Sequence, residues 1–194
     1  MIISFGCLKK VGKTTALELL KRMDQRVVGI SFAQEMKRVA HQLYGWAGLM
    51  YPDYYKGDNV GLKEVVLPKI GMSPREIWVR FGTEAVRDKV YQDTWVRLVE
   101  QRLKALEATE GMWSEGIAVI DDMRFQNEFD MVKSLGGLTV RIDRSSVEPA
   151  LDAAEGELID ARWDRVMIND GSIQDFEKSL NKLLTAECAR KELY

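Results

Sequence analysis

Several residue types that build common kinds of active site are scarce in this chain. Its 194 residues include one histidine, His41, and two cysteines, Cys7 and Cys188. A single chain therefore lacks the ligands for a zinc site made of several histidines or of four cysteines. The two thiols suggest no disulfide framework and are typical of a reducing compartment. A Ser-His or Cys-His nucleophile would have to use His41, whose position inside a predicted helix favours a surface or packing role instead.

Long apolar runs and an excess of one charge are also missing. No stretch approaches the roughly 20 apolar residues that cross a membrane, and the apolar start MIISFG precedes Lys9 and Lys10, the reverse of the order in a signal peptide. Lys and Arg total 28 and Asp and Glu total 30, which gives a net charge of −2. Proteins that grip nucleic acid through its phosphates are usually basic. We therefore expect a cytoplasmic protein with neither a membrane nor free nucleic acid as a partner.

The apolar residues that are present alternate between strand-like and helix-like segments. A hydrophobic content of 46% is enough for one α/β domain with a core. Short apolar runs predict five β-strands, at residues 1–6, 26–32, 116–120, 138–142 and 165–168. Helical periodicity and caps predict helices at residues 13–23, 34–44, 73–81, 84–89, 93–108, 127–135 and 172–190. Strands separated by helices indicate a parallel sheet with helices on both faces.

The strongest functional motif lies between the first predicted strand and the first helix. The segment Gly6-Cys7-Leu8-Lys9-Lys10-Val11-Gly12-Lys13-Thr14-Thr15 follows the phosphate-binding pattern G-x-x-x-x-G-K-[ST], except that Cys7 stands at the first glycine position. In such loops the amides and the helix N-terminus face phosphates, the lysine reaches the terminal phosphates and the hydroxyl holds Mg²⁺. The alternative is an ordinary strand-to-helix turn with a solvated lysine.

Carboxylates and cations accompany this motif. Asp121-Asp122-Met123-Arg124 comes after the third apolar run, where open parallel sheets bind ligands, and either carboxylate could contact Mg²⁺ through water, accept a proton or merely cap the next helix. Phosphoryl transfer needs several cations around the moving phosphate. Basic residues lie near predicted strand ends and helix starts at Lys37, Arg75, Arg80, Arg87, Arg124, Arg141 and Arg144. The aromatic, glycine-punctuated segment 46–72 has no clear period and is typical of a functional insertion.

Taken in order, the motifs resemble those of the phage-type deoxynucleoside monophosphate kinases of the P-loop kinase superfamily. Besides the loop, the matching segments are Phe32-Ala33-Gln34-Glu35-Met36-Lys37, the run from Arg80 through Gly82-Thr83-Glu84 to Arg87, Asp93-Thr94-Trp95, the run from Val119 to Glu128, Leu135 to Arg144, and Asn169-Asp170-Gly171. The resemblance reaches from the first strand to about Leu184. Relatives have a small lid, which would correspond to about residues 145–163 here. Where they often show His-x-Ser-Glu in this lid, this chain has Asp152-Ala153-Ala154-Glu155.

The resemblance implies a fold and an activity. The fold would be one P-loop kinase domain over residues 1–194, with a five-stranded parallel sheet, a helical acceptor-binding insert at about 33–111 and a small lid at about 145–163. The activity would be transfer of the ATP γ-phosphoryl group to a deoxynucleoside monophosphate, with Mg²⁺, to give the diphosphate and ADP. If the chain is phage-encoded, it would work in the host cell cytoplasm.

The resemblance also implies roles for individual residues. The catalytic residues would be Lys13, Asp122, Arg124 and Arg144. ATP would be bound by Gly12, Lys13, Thr14, Thr15, Asn169 and Gly171, with the turn from Asn169 to Gly171 beside the adenine. The acceptor would be bound by Phe32, Lys37, Arg80, Arg87, Trp95, Asp122 and Arg124. The metal would be held by Thr14 and Asp122.

Two other functions stay open on the sequence alone. One is a P-loop kinase for another acceptor, such as dephospho-coenzyme A, phosphomevalonate or a modified base in DNA. The other is a regulatory module that binds ATP without transferring phosphate, against which the number of cations argues. The preferred base, the choice between ribose and deoxyribose, and the presence of a homodimer are not determined by the sequence.

Overall fold

The computed structural model describes residues 1–108, 116–147 and 156–191 of the chain. Five strands form one sheet in which every pairing is parallel. They are β1 Ile2–Gly6, β2 Val27–Ile30, β3 Ile117–Met123, β4 Leu138–Asp143 and β5 Arg165–Ile168, in the spatial order β2-β3-β1-β4-β5. The predicted α/β class with a five-stranded parallel sheet is confirmed, and it is consistent with the P-loop kinase fold.

The described helices lie between the first four strands and after β5. They are α1 Lys13–Met23, α2 Phe32–Tyr44, α3 Pro74–Trp78, α4 Thr94–Ala108, α5 Gln126–Ser134 and α6 Ile173–Lys191. A π-helix, Val79–Val90, continues directly from α3, and short 3₁₀ turns cover Gly45–Ala47, Pro52–Tyr55 and Gly57–Glu64. Within the described part of the chain, the helices are too short or too polar to cross a membrane.

The central strands of the sheet are mostly buried, whereas β5 at its edge is mostly exposed. All five residues of β1 are buried, as are the first four of β3. The core joins apolar side chains of the central strands to those of α1 and α6, including Ile3, Phe5, Val119, Val140, Leu17, Leu20, Phe176 and Leu180. The chain crosses from β1 to β2 on one side of β1 and reaches β4 on the other, so β1 is the point where the strand order reverses. Open α/β sheets bind ligands at the carboxyl edge of such a strand.

The chain divides into two compact units. The first comprises Met1–Ile30 with Leu103–Tyr194 and contains the sheet, and the second comprises Ser31–Arg102. The second unit has its own small core, formed by Ala40, Leu49, Tyr55, Ile77 and Trp78. The insert and lid boundaries given above stay predictions. Residues 148–155 of the predicted lid, with the tetrapeptide Asp152 to Glu155, lie outside the described residues.

The predicted helix break at Gly82 is wrong. Residues 73–81 and 84–89 were expected to form two helices separated by Gly82-Thr83, but α3 and the π-helix run through this point without interruption. Gly82 is buried, and a Cβ added to it would lie 2.7 Å from Cγ of Met36. The glycine therefore permits close packing of the π-helix on α2 and does not mark a turn.

The junction of β2 and α2 also differs from the prediction. The second strand was expected to reach Phe32, but β2 ends at Ile30 and Phe32 begins α2. The reason is a helix cap, since the Ser31 hydroxyl accepts a hydrogen bond from the backbone N–H of Gln34 at 3.1 Å. Ser31 therefore ends the strand and starts the helix.

Candidate functional site

The loop at residues 7–12 joins β1 to α1 at the carboxyl edge of the sheet. Gly12 precedes the helix with φ 109°, in the left-handed region that favours glycine, and no side chain caps the first turn of α1. That turn contains no acidic residue either. Its backbone N–H groups and the positive end of the helix dipole therefore suit an anion such as phosphate.

Lys13 is the first residue of α1 and is nearly buried, with 8% of its surface exposed. Its Nζ donates hydrogen bonds to the carbonyl oxygens of Cys7, at 3.2 Å, and of Leu8. The ammonium group thus sits inside the loop and supports its curvature. A phosphate held by the loop would find this charge within the same small volume.

Two loop residues other than glycine have left-handed backbone conformations, Cys7 with φ 75° and Lys10 with φ 62°. Each such conformation costs on the order of 1–3 kcal/mol and persists only where the surroundings impose it, which is common at functional sites. Burial raises the pKa of the Cys7 thiol, and the nearby charge of Arg141 opposes this increase. Cys7 is therefore a neutral packing residue and not an activated nucleophile.

The acidic pair lies within β3, at an irregularity in its pairing with β1. Ser4 pairs with Ile120 and Gly6 pairs with Met123, so two consecutive acids, Asp121 and Asp122, stand opposite the single residue Phe5. Such a bulge is rare between parallel strands, and bulges often redirect side chains next to active sites.

Asp121 is the acid that contacts the loop helix. The Thr14 hydroxyl donates to Oδ2 of Asp121 at 2.9 Å. Burial, together with the neighbouring charge of Asp122, raises the pKa of Asp121, while the bond from Thr14 and the charge of Lys13 lower it. The resemblance implied that Thr14 and Asp122 hold the metal, but in the structure the hydroxyl is bonded to Asp121. Asp121 is thus a candidate site residue that the sequence offered as an alternative and that the resemblance did not select.

Thr14 and Asp121 fit the requirements of Mg²⁺. This ion usually keeps several waters and takes only one or two protein carboxylates together with substrate phosphates. Among the residues that the structure describes, no group of three or more His, Cys, Asp or Glu side chains is arranged to hold a metal by itself. A hydroxyl and a carboxylate in hydrogen-bond contact beside a loop that suits phosphate are therefore the kind of donor set that suits a phosphate-bound magnesium ion.

Glu128 is a buried acid on the first turn of α5 to which the sequence motifs assign no role. Only 6% of it is exposed, and its Oε2 accepts hydrogen bonds from the backbone N–H groups of Arg124 at 2.7 Å and Phe125 at 3.1 Å. Burial, together with the charge of Asp122, raises the pKa of Glu128 to about 8. The two backbone bonds and Arg124 favour the carboxylate, but the cost of burying its charge exceeds their effect. Glu128 thus fixes the turn that carries Arg124.

Glu128→Gln is expected to change how stability depends on pH. Because the folded pKa of about 8 exceeds the ordinary value of 4.5, the folded protein holds this proton more tightly than the unfolded chain. The contribution of Glu128 to the unfolding free energy is fully present below pH 4.5 and is lost as the pH rises to about 8. The total loss is on the order of a few kcal/mol. Gln keeps an oxygen that can accept both backbone bonds, but it does not ionise. The decline of stability with pH should therefore be flatter in Glu128→Gln.

The measurement is the free energy of unfolding of wild type and Glu128→Gln by urea at several pH values from 4 to 9, a range chosen to bracket the two pKa values. Glu177→Gln is the control, because Glu177 lies exposed on α6. Parallel pH profiles for wild type and Glu128→Gln would contradict the expectation.

Other predicted residues of the first unit lie at the same edge of the sheet and differ in exposure and in contacts. Thr15 is exposed on the first turn of α1, and Arg144 is exposed directly after β4. Gly171 is exposed in the turn before α6. Asn169 does not stand free beside the loop, because its Nδ2 donates to the carbonyl of Val11 at 2.8 Å.

Trp163, which no sequence motif places in the site, and Arg141, which the sequence offered only as one of several cations near strand ends, support the start of the loop. A Cβ added to Gly6 would lie 2.5 Å from Cη2 of Trp163, so this glycine permits the indole to cover the end of β1. Arg141 pairs with Gly6 in the sheet, donates to Asp143 at 2.6 Å and donates to the carbonyl of Ile159 at 2.8 Å. The contacts of Trp163 with Gly6, and of Arg141 with Gly6 and Ile159, join residues far apart in sequence, which is why no local pattern predicts them.

In the second unit, three predicted acceptor residues have structural contacts. Phe32 is buried, with 3% of its surface exposed, at the start of α2. Lys37 places its Nζ 4.8 Å from the centre of the Trp78 ring, within the range of a cation–π contact. Trp95 donates its indole N–H to the carbonyl of Gly82 at 2.8 Å and so ties α4 to the π-helix.

Two of the three predicted acceptor arginines, Arg80 and Arg87, lie on the π-helix. The Tyr91 N–H donates to the carbonyl of Val86 at 2.9 Å, the five-residue spacing that defines this helix type. π-Helical turns are rare and often occur at functional sites. Arg80 is exposed, whereas the Arg87 side chain is only 13% exposed and lies 3.6 Å from Asp88. A polar cleft of about 440 Å³ at the end of this helix is lined by Arg87, Asp88, Lys89, Val90, Tyr91 and Gln92.

Comparisons with known proteins found a viral relative. No protein-family model matches the chain. A protein of Acanthamoeba polyphaga mimivirus named "Putative deoxynucleotide monophosphate kinase" is 27% identical over 181 residues. The match covers 87% of this chain and 88% of the viral protein. The similarity therefore extends over most of both chains and does not depend on the phosphate-loop motif alone.

Proposed function

We propose that this protein is a deoxynucleoside monophosphate kinase, which transfers the γ-phosphoryl group of ATP to the phosphate of a deoxynucleoside monophosphate. The observation that carries the proposal is the hydrogen bond between Thr14 and Asp121, close to the charge of Lys13, at the uncapped start of α1. A hydroxyl, a carboxylate and an ammonium at a helix N-terminus are what phosphoryl transfer with Mg²⁺ requires.

The similarity to the viral protein supports the same class. That protein is named as a kinase of deoxynucleotide monophosphates, and the match spans most of both chains. The similarity supports a nucleotide kinase here. That the acceptor is a deoxynucleotide is our proposal. Membership of the phage-type group, a cytoplasmic location and a homodimer stay predictions.

In the proposed reaction an oxygen of the acceptor phosphate attacks the γ-phosphorus, and the bond from that phosphorus to the bridging oxygen breaks to release ADP. The acceptor oxygen is already anionic near pH 7, because the second pKa of a phosphate ester is about 6. No residue therefore has to remove a proton. The work of the protein is to hold the two phosphates in line and to balance their negative charge.

The chain supplies these functions from residues of the first unit. The amides at the start of α1 and Lys13 would bind the ATP phosphates, and Arg124 and Arg144 would balance charge on the group in transfer. Thr14 and Asp121 would hold Mg²⁺, which when bound neutralises charge on the phosphate oxygens. Asp122, which follows Asp121 at the bulge, is assigned to positioning the acceptor. Asn169 and Gly171 complete the proposed ATP site.

The second unit would supply the acceptor site. Phe32 and Trp95 offer aromatic surface, and Lys37, Arg80 and Arg87 offer positive charge for the acceptor phosphate. The Arg87 side chain is only 13% exposed, which favours a role in binding the acceptor phosphate. A partly desolvated guanidinium forms stronger bonds to phosphate than a solvated one.

The test is formation of ADP from ATP and Mg²⁺ against a panel of acceptors. The panel contains dGMP, dTMP, dCMP, dAMP, modified pyrimidine monophosphates and the matching ribonucleotides. We expect ADP to form only when one or a few of the deoxynucleotides are added. A silent panel from a protein that still binds ATP would overturn the proposal in favour of another acceptor or of a regulatory module.

Arg87→Met is expected to weaken acceptor binding. A hydrogen bond to a charged group is worth about 1.5–3 kcal/mol, so the KM for the acceptor should rise about tenfold to one hundredfold, with a smaller change in the KM for ATP. Arg97→Met is the control, because Arg97 lies in the same unit and its side chain is 59% exposed. An unchanged acceptor KM in Arg87→Met would remove this residue from the site.

A further inference from the structure

The second end of the loop at residues 7–12 is held by Asn169. This residue directly follows β5, and its backbone N–H donates to the carbonyl of Asp143 at 2.8 Å, which anchors it to the end of β4. Its side-chain Nδ2 donates to the carbonyl of Val11, also at 2.8 Å, across 158 positions of sequence. A Cβ on Gly12 would lie 2.6 Å from the same nitrogen, so the amide group packs directly against the loop.

Through the peptide between Val11 and Gly12, the contact with Asn169 fixes the direction of the Gly12 N–H. A trans peptide is planar, and its C=O and N–H point in opposite directions. All described peptide bonds of the chain are trans. Because the Val11 carbonyl points at Asn169, the Gly12 N–H is directed away from Asn169. Rotation of this peptide would break the bond to Asn169 and would turn the N–H.

The loop has a physical need for such a support. Cys7 and Lys10 hold left-handed backbone conformations, with φ 75° and 62°, although neither is glycine. Conformations of this kind persist only where neighbouring groups determine them. A loop without the contact from Asn169 would have less to keep its amides in one orientation.

We infer that Asn169 is a positioning residue for the nucleotide phosphates, which acts through the Val11–Gly12 peptide and not through the base. The inference rests on the proposed function, because the Gly12 N–H matters only if the loop binds phosphate. It differs from the sequence expectation that Asn169 lies beside the adenine. Its amide nitrogen is bonded to the loop, which is where the phosphates would bind.

The experiment compares two ligands that differ in the base. Equilibrium binding of ATP and of inorganic tripolyphosphate is measured by calorimetry, with Mg²⁺, for wild type, Asn169→Leu and Asn169→Ala. Leu is close to Asn in size but donates no hydrogen bond. We expect both ligands to bind Asn169→Leu about tenfold more weakly, equivalent to ~1.4 kcal/mol, and Asn169→Ala to lose affinity for both in the same proportion.

The outcomes separate the inference from the function on which it rests. Parallel losses for ATP and tripolyphosphate support the inference. A loss for ATP with unchanged tripolyphosphate binding would assign Asn169 to the nucleoside and overturn it, and unchanged binding of both would overturn it as well. If wild type bound neither ligand, the proposed function itself would fail.

Asn181→Ala is the matched control, because Asn181 lies exposed on α6, and its affinities should equal those of wild type. Thermal unfolding verifies that the variants are folded. If neither Asn169 variant folds, the wild-type Gly12 amide proton is followed by NMR instead. Its resonance should move downfield when tripolyphosphate is added, and an unmoved resonance would overturn the inference.

Discussion

Lys13→Met is expected to reduce phosphoryl transfer at least about 10³-fold in a protein that still folds. Lys13 is 8% exposed, and its ammonium lies among the carbonyl oxygens of Cys7 and Leu8 at the start of α1. In the proposed reaction this charge balances the negative charge of the transferred group. Methionine has nearly the same length but no charge and no donor, so the substitution removes the ammonium group while keeping most of the side-chain volume. ADP formation at saturating ATP and acceptor is the measurement.

The same substitution should also lower stability, because two loop carbonyls lose a donor. Hydrogen bonds that involve a charged group contribute about 1.5–3 kcal/mol each, so the unfolding free energy is measured alongside activity. Lys21→Met, an exposed position on the same helix, should keep full activity. A folded Lys13→Met protein with activity within about tenfold of wild type would contradict the assignment of Lys13.

The sheet, and the position of the loop between β1 and α1, could be predicted because their signals are local. Buried parallel strands appear as short apolar runs, and the loop lies between one such run and the first amphipathic helix. The error at Gly82 occurred because a distant contact decides the local structure there. A glycine such as Gly82 is typical of a helix break, yet Met36 packs against it and the helix continues. Trp163 covers Gly6, and no sequence pattern brings these two residues together.

The choice between the two adjacent acids shows the same limit at the site. In a regular strand, neighbouring side chains point to opposite faces, so the sequence allows either Asp121 or Asp122 to reach Thr14. The choice depends on the irregularity opposite Phe5, which is a property of the pairing between β1 and β3. Glu128 was overlooked for a related reason, because its burial comes from packing and not from its position on the first turn of α5.

Asp121→Asn is therefore the second substitution with a large expected effect, and it decides which acid serves the metal. Asparagine keeps an oxygen for the bond from Thr14, so the loop geometry should survive while the charge is lost. We expect kcat to fall about 10²- to 10³-fold and the Mg²⁺ concentration for half-maximal activity to rise. Asp122→Asn, its neighbour at the bulge, should chiefly raise the KM for the acceptor.

Stability provides an independent measure of the same residue. Burial and the charge of Asp122 raise the pKa of Asp121, which means that the folded protein holds this carboxylate at a cost. Asp121→Asn removes that charge, so its melting temperature should rise even as activity falls, as expected where an active site retains a destabilising group. A lower melting temperature would contradict this cost. If only Asp122→Asn raised the Mg²⁺ requirement, Asp122 would be the metal residue and the bond between Thr14 and Asp121 would be structural.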